Sequence, residues 1–272
     1  MPRKVQHYGW VPDLPDPRDF MYAAPAEVLQ ALAAQADLRP NCPPVYDQGQ
    51  LGSCTANAIG GAFQFEQMKE AVQNFIPSRL FIYYNERAIE GTINQDSGAR
   101  IRDGIKTVVK LGACPETDWP YTTDLKVVEE KPPAPAYADG LKSRVNVYQR
   151  LTQNLNQLKG CLASGYPFVF GFTVYESFES PAVAKTGIVP MPDPNSEQAV
   201  GGHAVVAVGY DDTQQRFIVR NSWGTGWGMN GYCTMPYAYL TDHAYSNDFW
   251  TIRGVTGQAV AKAGRHHLAK AG

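Results

Sequence analysis

Gln48-Gly49-Gln50-Leu51-Gly52-Ser53-Cys54-Thr55 places a single cysteine where a glycine-containing turn gives way to a helix. Ala58, Ile59, Ala62, Phe63 and Phe65 follow as a broad apolar stripe, so the spacing predicts a helix with Ser53 as N-cap, running to about Ala71. Far downstream stand Gly201-Gly202-His203-Ala204 and Asn221-Ser222-Trp223-Gly224. A free thiol is only a few per cent ionised at neutral pH, so a nucleophilic cysteine needs help. The positive end of the helix dipole and an imidazolium at His203 would both lower the pKa of Cys54. Asn221 can accept from the other ring N–H and hold the imidazole in place. Across the turn, the Gln48 amide can join the Cys54 backbone N–H around a developing oxyanion.

Each residue alone has a plainer explanation. A lone cysteine at a helix start is usually structural, His203 sits in an apolar strand, and Asn221 with Gly224 and Gly226 could be turn chemistry. Trp223 and Trp227 could be core aromatics. The joint occurrence, in order, outweighs these.

Outside the motif, residues 1–36 carry Pro2, Pro12, Pro15, Pro17 and Pro25 with Tyr8, Trp10, Phe20 and Tyr22, which reads as extended coil on a surface. Ala26–Ala36 is rich in helix formers and predicts a short helix. Further helices are expected from Pro77-Ser78 onward, from Ala99 to Leu111 with Gly112 beyond its end, and from Thr152 to Ser164 before Gly165. Pro132-Pro133-Ala134-Pro135 suits a connection between lobes. Extended runs follow at 168–174, 203–210, 216–219, 231–235 and 249–253, so helices come first and strands later, the α+β pattern.

Composition sets the class. The 272 residues are 44% hydrophobic and 18% charged with a formal net charge of -2, so there is no basic footprint for nucleic acid and no charge argument for an anionic membrane. No apolar run approaches the ~20 residues of a membrane-spanning helix. The N-terminus lacks an apolar h-region and is not a standard secretory signal. The chain either stays inside, leaves by another route, or has lost its signal. The five cysteines, Cys42, Cys54, Cys114, Cys161 and Cys233, contain no C-x-x-C pair, which argues against zinc and a dense disulfide framework and leaves one bridge open. No metal or cofactor is expected, and the expected state is a monomer acting on a peptide or protein.

On Gln48-x-x-x-x-x-Cys54, Gly202-His203-Ala204-Val205 and Asn221-Ser222-Trp223-Gly224-x-Gly226-Trp227-Gly228-x-x-Gly231-Tyr232, the chain resembles the papain family of cysteine proteases, in its short bacterial form. His203 lies 149 residues after Cys54, within the family's rough range of about 130–150. The resemblance covers about Asp37 to Arg253. It implies a papain-like two-lobe fold, a helical lobe (37–140) carrying Cys54 and a β-rich lobe (141–256) carrying His203 and Asn221, with the cleft between them. It also implies peptide hydrolysis through a thioester, with Trp223 shielding the histidine–asparagine hydrogen bond.

Substrate contacts are expected at Gly52, Ser53, Gly98, Ala99, Ile101, Gly171, Gly201, Ala204 and Trp223. Gly98-Ala99 would pair with an extended substrate, and the small residues would leave a roomy apolar pocket. Gly171 and Gly201 could equally be glycines placed for strand packing. Leu51 stands where relatives carry a disulfide cysteine, Thr55 replaces an aromatic, and Gly202 a polar residue. Residues 1–36 are too short for a long helical prosegment. They are expected either as a minimal propeptide, with Tyr8–Tyr22 over the cleft, or as a permanent strap. An exopeptidase or other acyl transferase on the same triad, and a non-enzymatic binding protein, remain the alternatives; the Pro190–Pro194 loop is the candidate cleft-blocking segment. Residues 257–272 read as a mobile tail.

Overall fold

Phe168-Val169-Phe170 and Ala204-Val205-Val206-Ala207-Val208 are apolar on consecutive residues, as strands covered on both faces require. The computed structural model describes residues 8–259 and shows what covers them. Its elements are β1 (Met21–Tyr22), α1 (Ala26–Gln30), β2 (Gln35–Asp37), α2 (Cys54–Lys69), α3 (Arg79–Glu90), α4 (Ile101–Lys110), α5 (Leu125–Glu129) and α6 (Ala134–Gly140). There follow β3 (Val145–Leu151), α7 (Leu155–Ala163), β4 (Phe168–Tyr175), α8 (Pro181–Thr186), β5 (Ala199–Asp211), β6 (Arg216–Arg220), β7 (Tyr232–Pro236), α9 (Tyr237–Thr241) and β8 (Ser246–Val255). The strands form one sheet in the order β1-β3-β8-β4-β5-β6-β7, with β2 paired to the end of β5.

Successive residues of β5 divide between two cores. Val205 and Ala207 join Phe168, Phe170, Phe172, Phe217 and Phe249 with α7, while Ala204, Val206 and Val208 join Ile59, Phe63, Ile105 and Trp250 with α2 and α4. The two-residue period of a strand thus serves two apolar layers at once. Helix α2 lies between the sheet and helices α3 and α4, and Cys54 to Gln67 are all buried. Its stripe is broad because it is covered on every side.

Several expectations need correction. The helix expected over Ala26–Ala36 ends at Gln30, and Gln35–Asp37 pair instead with Asp211–Gly209 of β5. A single exposed turn has little stability of its own, so the open hydrogen-bonding edge of β5 decides. Ser53 stands at the N-cap position of α2 but makes no side-chain cap. Its hydroxyl pairs with Tyr121 at 2.6 Å and accepts from Asn57 Nδ2 at 3.0 Å. The proline cluster opens α6, whose Ala136 packs with Phe81 and Cys114. Strand β3 was not expected, because bulges between Val145 and Tyr148 break its alternation. Gly257–Ala259 are placed, with the Gln258 carbonyl accepting from Gln73 N at 2.8 Å and Ala259 bridging Val72. The rest of the expected tail lies outside the described residues.

Tyr22 and Ala24 are buried in the core on the α7 side, so residues 21–37 belong to the folded sheet and only the stretch before them lies over the cleft. Truncating a buried aromatic to alanine costs about 3–5 kcal/mol. Tyr22→Ala should therefore lower the melting temperature by roughly 6–15 °C, read by far-UV circular dichroism. An unchanged melt would show that this segment is only laid on the surface.

Candidate active site

Cys54 is the first residue of α2 and is wholly buried. With no side-chain cap from Ser53, the first-turn N–H groups remain available to the sulfur and to charge developing near it. His203 enters from β5 on the aromatic face, beside Phe172 and Phe178, and Trp223 lies 5.1 Å from its ring at 33°. His203 Nε2 is 2.8 Å from Asn221 Oδ1. That oxygen also accepts from Ser222 N at 2.8 Å, so it is fixed as the acceptor and the imidazole N–H donates to it. Nδ1 is left as the buried ring nitrogen without a hydrogen-bond partner.

Gln48 is tied to the same turn. Its N–H donates to the Ser222 carbonyl at 2.9 Å, its Oε1 accepts from Ser222 Oγ at 2.7 Å, and its Nε2 donates to Leu51 O at 2.9 Å. Ser222 is a residue of the candidate site that sequence reasoning missed: it lies inside the quoted Asn221-Ser222-Trp223 motif, yet its link to Gln48 exists only in three dimensions. Gly52 donates its N–H to Asp96 at 3.0 Å, which fixes the turn before Cys54.

The thiol is not depressed as its position led us to expect. Burial pushes Cys54 up to about 12, against a partial offset from backbone hydrogen bonds of Ala204, Gly9 and Thr55. Burial likewise pulls His203 down to about 4, with the Asn221 hydrogen bond opposing it. The pair is held as neutral thiol and neutral imidazole.

The cause of that burial is residues 8–13. Gly9 O accepts from Ala99 N at 2.7 Å, Val11 N donates to Ala99 O at 3.1 Å and Trp10 N to Gly202 O at 2.9 Å, giving a parallel bridge between Trp10 and Ala99. A Cβ on Gly9 would lie 1.6 Å from the Gly52 carbonyl oxygen, and one on Gly98 2.1 Å from Gly9 O. Tyr8 sits against His203 and Trp223, and its hydroxyl donates to Glu179. The indole of Trp10 presses on Gly171 and Gly202, and Tyr8 on Gly201. Of the expected pocket residues, Ile101 and Ala204 are buried in the same apolar cluster as Trp10, and Ala99 is buried beside the segment that it pairs with. Gly52, Gly98, Ala99, Gly171, Gly201 and Trp223 are thus brought together around the segment, whereas the Ser53 side chain points into the Tyr121–Asn57 contact.

Beyond Trp10 the segment is latched by charge. Asp13 lies beside Arg102, Asp19 bonds Arg102 and Arg150, and Arg150 also bonds Asp248 Oδ1 at 3.0 Å. Asp248 Oδ2 accepts from Asp13 N at 2.8 Å and from Trp10 Nε1 at 3.2 Å. Burial first, then Asp248, raises Asp13 to about 7, against the pull of Arg102 and Arg150. Among the described residues no group of His, Cys, Asp and Glu is placed to hold a metal, and no helix is long and apolar enough to cross a membrane.

Comparison with known proteins gives a consistent picture. The family profile described as "Papain family cysteine protease" matches residues 32–244. An uncharacterized peptidase C1-like protein of Acanthamoeba polyphaga mimivirus is 42% identical over 92% of this chain and 88% of its own length. The crystal structure of xylellain, a cysteine protease from Xylella fastidiosa, superposes with a TM-score of 0.86 at 45% identity, covering 96% of this chain and 99% of that one. Cysteine proteinase 1 of Entamoeba histolytica is 26% identical over 71% of this chain, which spans 59% of that protein.

A free aspartate titrates near 3.9, so seating the segment takes up a proton at Asp13 between about pH 4 and 7. The seat is tightest at low pH and weakens as pH rises through 7. Cys54 and His203 carry one proton between them whether neutral or paired as ions, so they cancel over this interval. Alkylation of Cys54 in the full chain should be slow at pH 5 and accelerate through about pH 7. Asp13→Asn, which mimics the protonated acid, should abolish the acceleration; a rise that survives in that variant would assign it to another group.

Proposed function

The chain belongs to the papain family of cysteine proteases, and from that premise we propose that it is an endopeptidase produced with its cleft covered by residues 8–13. The helical part, residues 37–140, supplies the nucleophile, and the β-rich part, 141–256, supplies the base. The observation that carries the enzymatic reading is the held imidazole: Asn221 Oδ1 accepts the hydrogen bond from Nε2–H and leaves Nδ1 as the ring nitrogen free to exchange a proton with a thiol.

With the segment lifted, solvent returns and the burial that keeps the pair neutral is relieved, so the thiolate–imidazolium form becomes accessible. The Cys54 sulfur attacks the scissile carbonyl, and the oxygen that gains charge meets the Cys54 N–H and, once it turns from Leu51 O, the Gln48 amide. His203 donates its Nδ1 proton to the leaving amine, giving a thioester, then takes a proton from the water that cleaves it. Trp223 over the ring keeps water from the His203–Asn221 hydrogen bond.

The covered state supports a zymogen reading on chemical grounds. The Gly9 N–H faces the sulfur as a hydrogen-bond donor, and Gly9, Trp10 and Val11 pair with Ala99 and Gly202, so the seated segment fills the cleft beside the thiol. Expulsion needs one methyl. In Gly9→Ala the new Cβ meets the backbone of Gly52, which a side-chain shift cannot relieve. An epoxide inactivator of papain-like thiols should label Cys54 in full-length Gly9→Ala at least tenfold faster than in the parent, and the variant should cleave small peptides that the parent leaves intact. Equal labelling with equal turnover would defeat the covering role and keep the protease. Absence of both in a folded Gly9→Ala chain would defeat the protease.

A further inference from the structure

We propose that Asp248 is a specificity-determining residue of the cleft, selecting at the pocket now filled by Trp10 a broad aromatic side chain that carries a hydrogen-bond donor, tryptophan foremost. The proposal rests on the endopeptidase reading and alters the apolar character that the sequence suggested for this pocket.

Two backbone walls give the pocket its breadth. A Cβ at Gly171 would lie 1.9 Å from the Trp10 indole and 2.2 Å from its Nε1, and a Cβ at Gly202 2.7 Å from the Trp10 ring. Any side chain at either position would occupy the space of the bicyclic ring. The polar end is Asp248, buried at the start of β8 with φ 60°, a conformation that aspartate tolerates and most residues do not. Its Oδ1 is taken by Arg150 at 3.0 Å, a contact within the body of the protein. Its Oδ2 accepts from Trp10 Nε1 and Asp13 N, both of which leave with the segment.

An uncovered Asp248 therefore keeps one oxygen satisfied and exposes the other, at the far end of a slot wide enough for two fused rings. Leaving a buried acceptor without its donor is costly, so a substrate side chain that returns an N–H is favoured over an isostere without one. A cation has no such advantage. Once Asp13 has lifted, Asp19 and Asp248 face Arg102 and Arg150, two carboxylates against two guanidinium groups. An incoming arginine would meet a carboxylate already paired and two like charges beside it.

The test uses full-length Gly9→Ala and four peptides that differ only in the residue two before the cleaved bond: tryptophan, 1-methyltryptophan, 2-naphthylalanine and arginine. The expected result is a kcat/KM for tryptophan about tenfold above each of the other three. Equal turnover of tryptophan and naphthylalanine, or a preference for arginine, would overturn the assignment while leaving the protease intact. Asp248→Gly, which accepts the positive φ and removes the acceptor, should bring tryptophan to within about twofold of naphthylalanine; an undiminished preference would also overturn it. Hydrolysis of none of the four, with Cys54 still labelled by the epoxide, would remove the endopeptidase reading and this inference with it.

Discussion

The placement of Cys54 depends on the complete burial of α2. A helix covered along one stripe can roll or slide; one enclosed from Cys54 to Gln67 by three strands and two helices cannot, so its first residue is fixed in space. The loop ahead of it is held by arginines that glycines let in. Gly60 and Gly61 sit against the Arg79 and Arg220 side chains. Arg220 Nη1 and Nη2 donate to Pro43 O and Pro44 O at 2.5 Å, and Arg79 Nη1 donates to Asp47 O at 3.2 Å and Asn57 Oδ1 at 3.1 Å. The chain that carries Gln48 is thereby pinned by its carbonyls from below. Ser222 pins Gln48 from the other side, so Cys54, Gln48 and the turn that holds His203 share one rigid junction.

That rigidity makes the electrostatics of the covered site simple. Residues 8–13, where they sit, keep water from Cys54 and His203. Removing it favours the uncharged forms of both partners, which raises the thiol and lowers the imidazole by the same physical cause. On the proposed reading, one device would block the cleft sterically and disarm the sulfur chemically. It would do so without a net proton change at Cys54 and His203, leaving pH sensitivity to the carboxylate latch at Asp13.

Much of this was legible from residues because it is local. Cys54, His203 and Asn221 carry short motifs whose chemistry follows from their neighbours, and the strands over 168–174 and 203–210 announce themselves as consecutive apolar runs. Apart from β3, whose bulges hide its alternation, the misses are questions of partner. Gln35–Asp37 is a strand only because β5 has an edge to offer. Ser53 looks like a cap until Tyr121 claims its hydroxyl. Ser222 and Asp248 look like ordinary polar residues until Gln48 and Trp10 arrive from elsewhere in the chain. The thiol's pKa was misjudged for the same reason, since the helix dipole is local and the covering segment is not.

The glycines show most clearly where local reading stops. Gly171 and Gly201 lie on paired strands, and sequence left open whether they served the sheet or a pocket. Their nearest obstacles are Trp10 and Tyr8, not neighbouring strands, whereas Gly209 is confined by Ala36 and Ile218, which are sheet neighbours. In the same way a Cβ on Gly98 would meet the Gly9 backbone, and one on Gly9 the Gly52 backbone. A trench floored by glycines admits backbone and large rings alike. The segment that fills it must itself be glycine at the closest point, over Gly52, where even a methyl has no room. The covering strand and the cleft therefore constrain each other residue by residue, and the shape left behind when the strand lifts is an imprint of Tyr8-Gly9-Trp10.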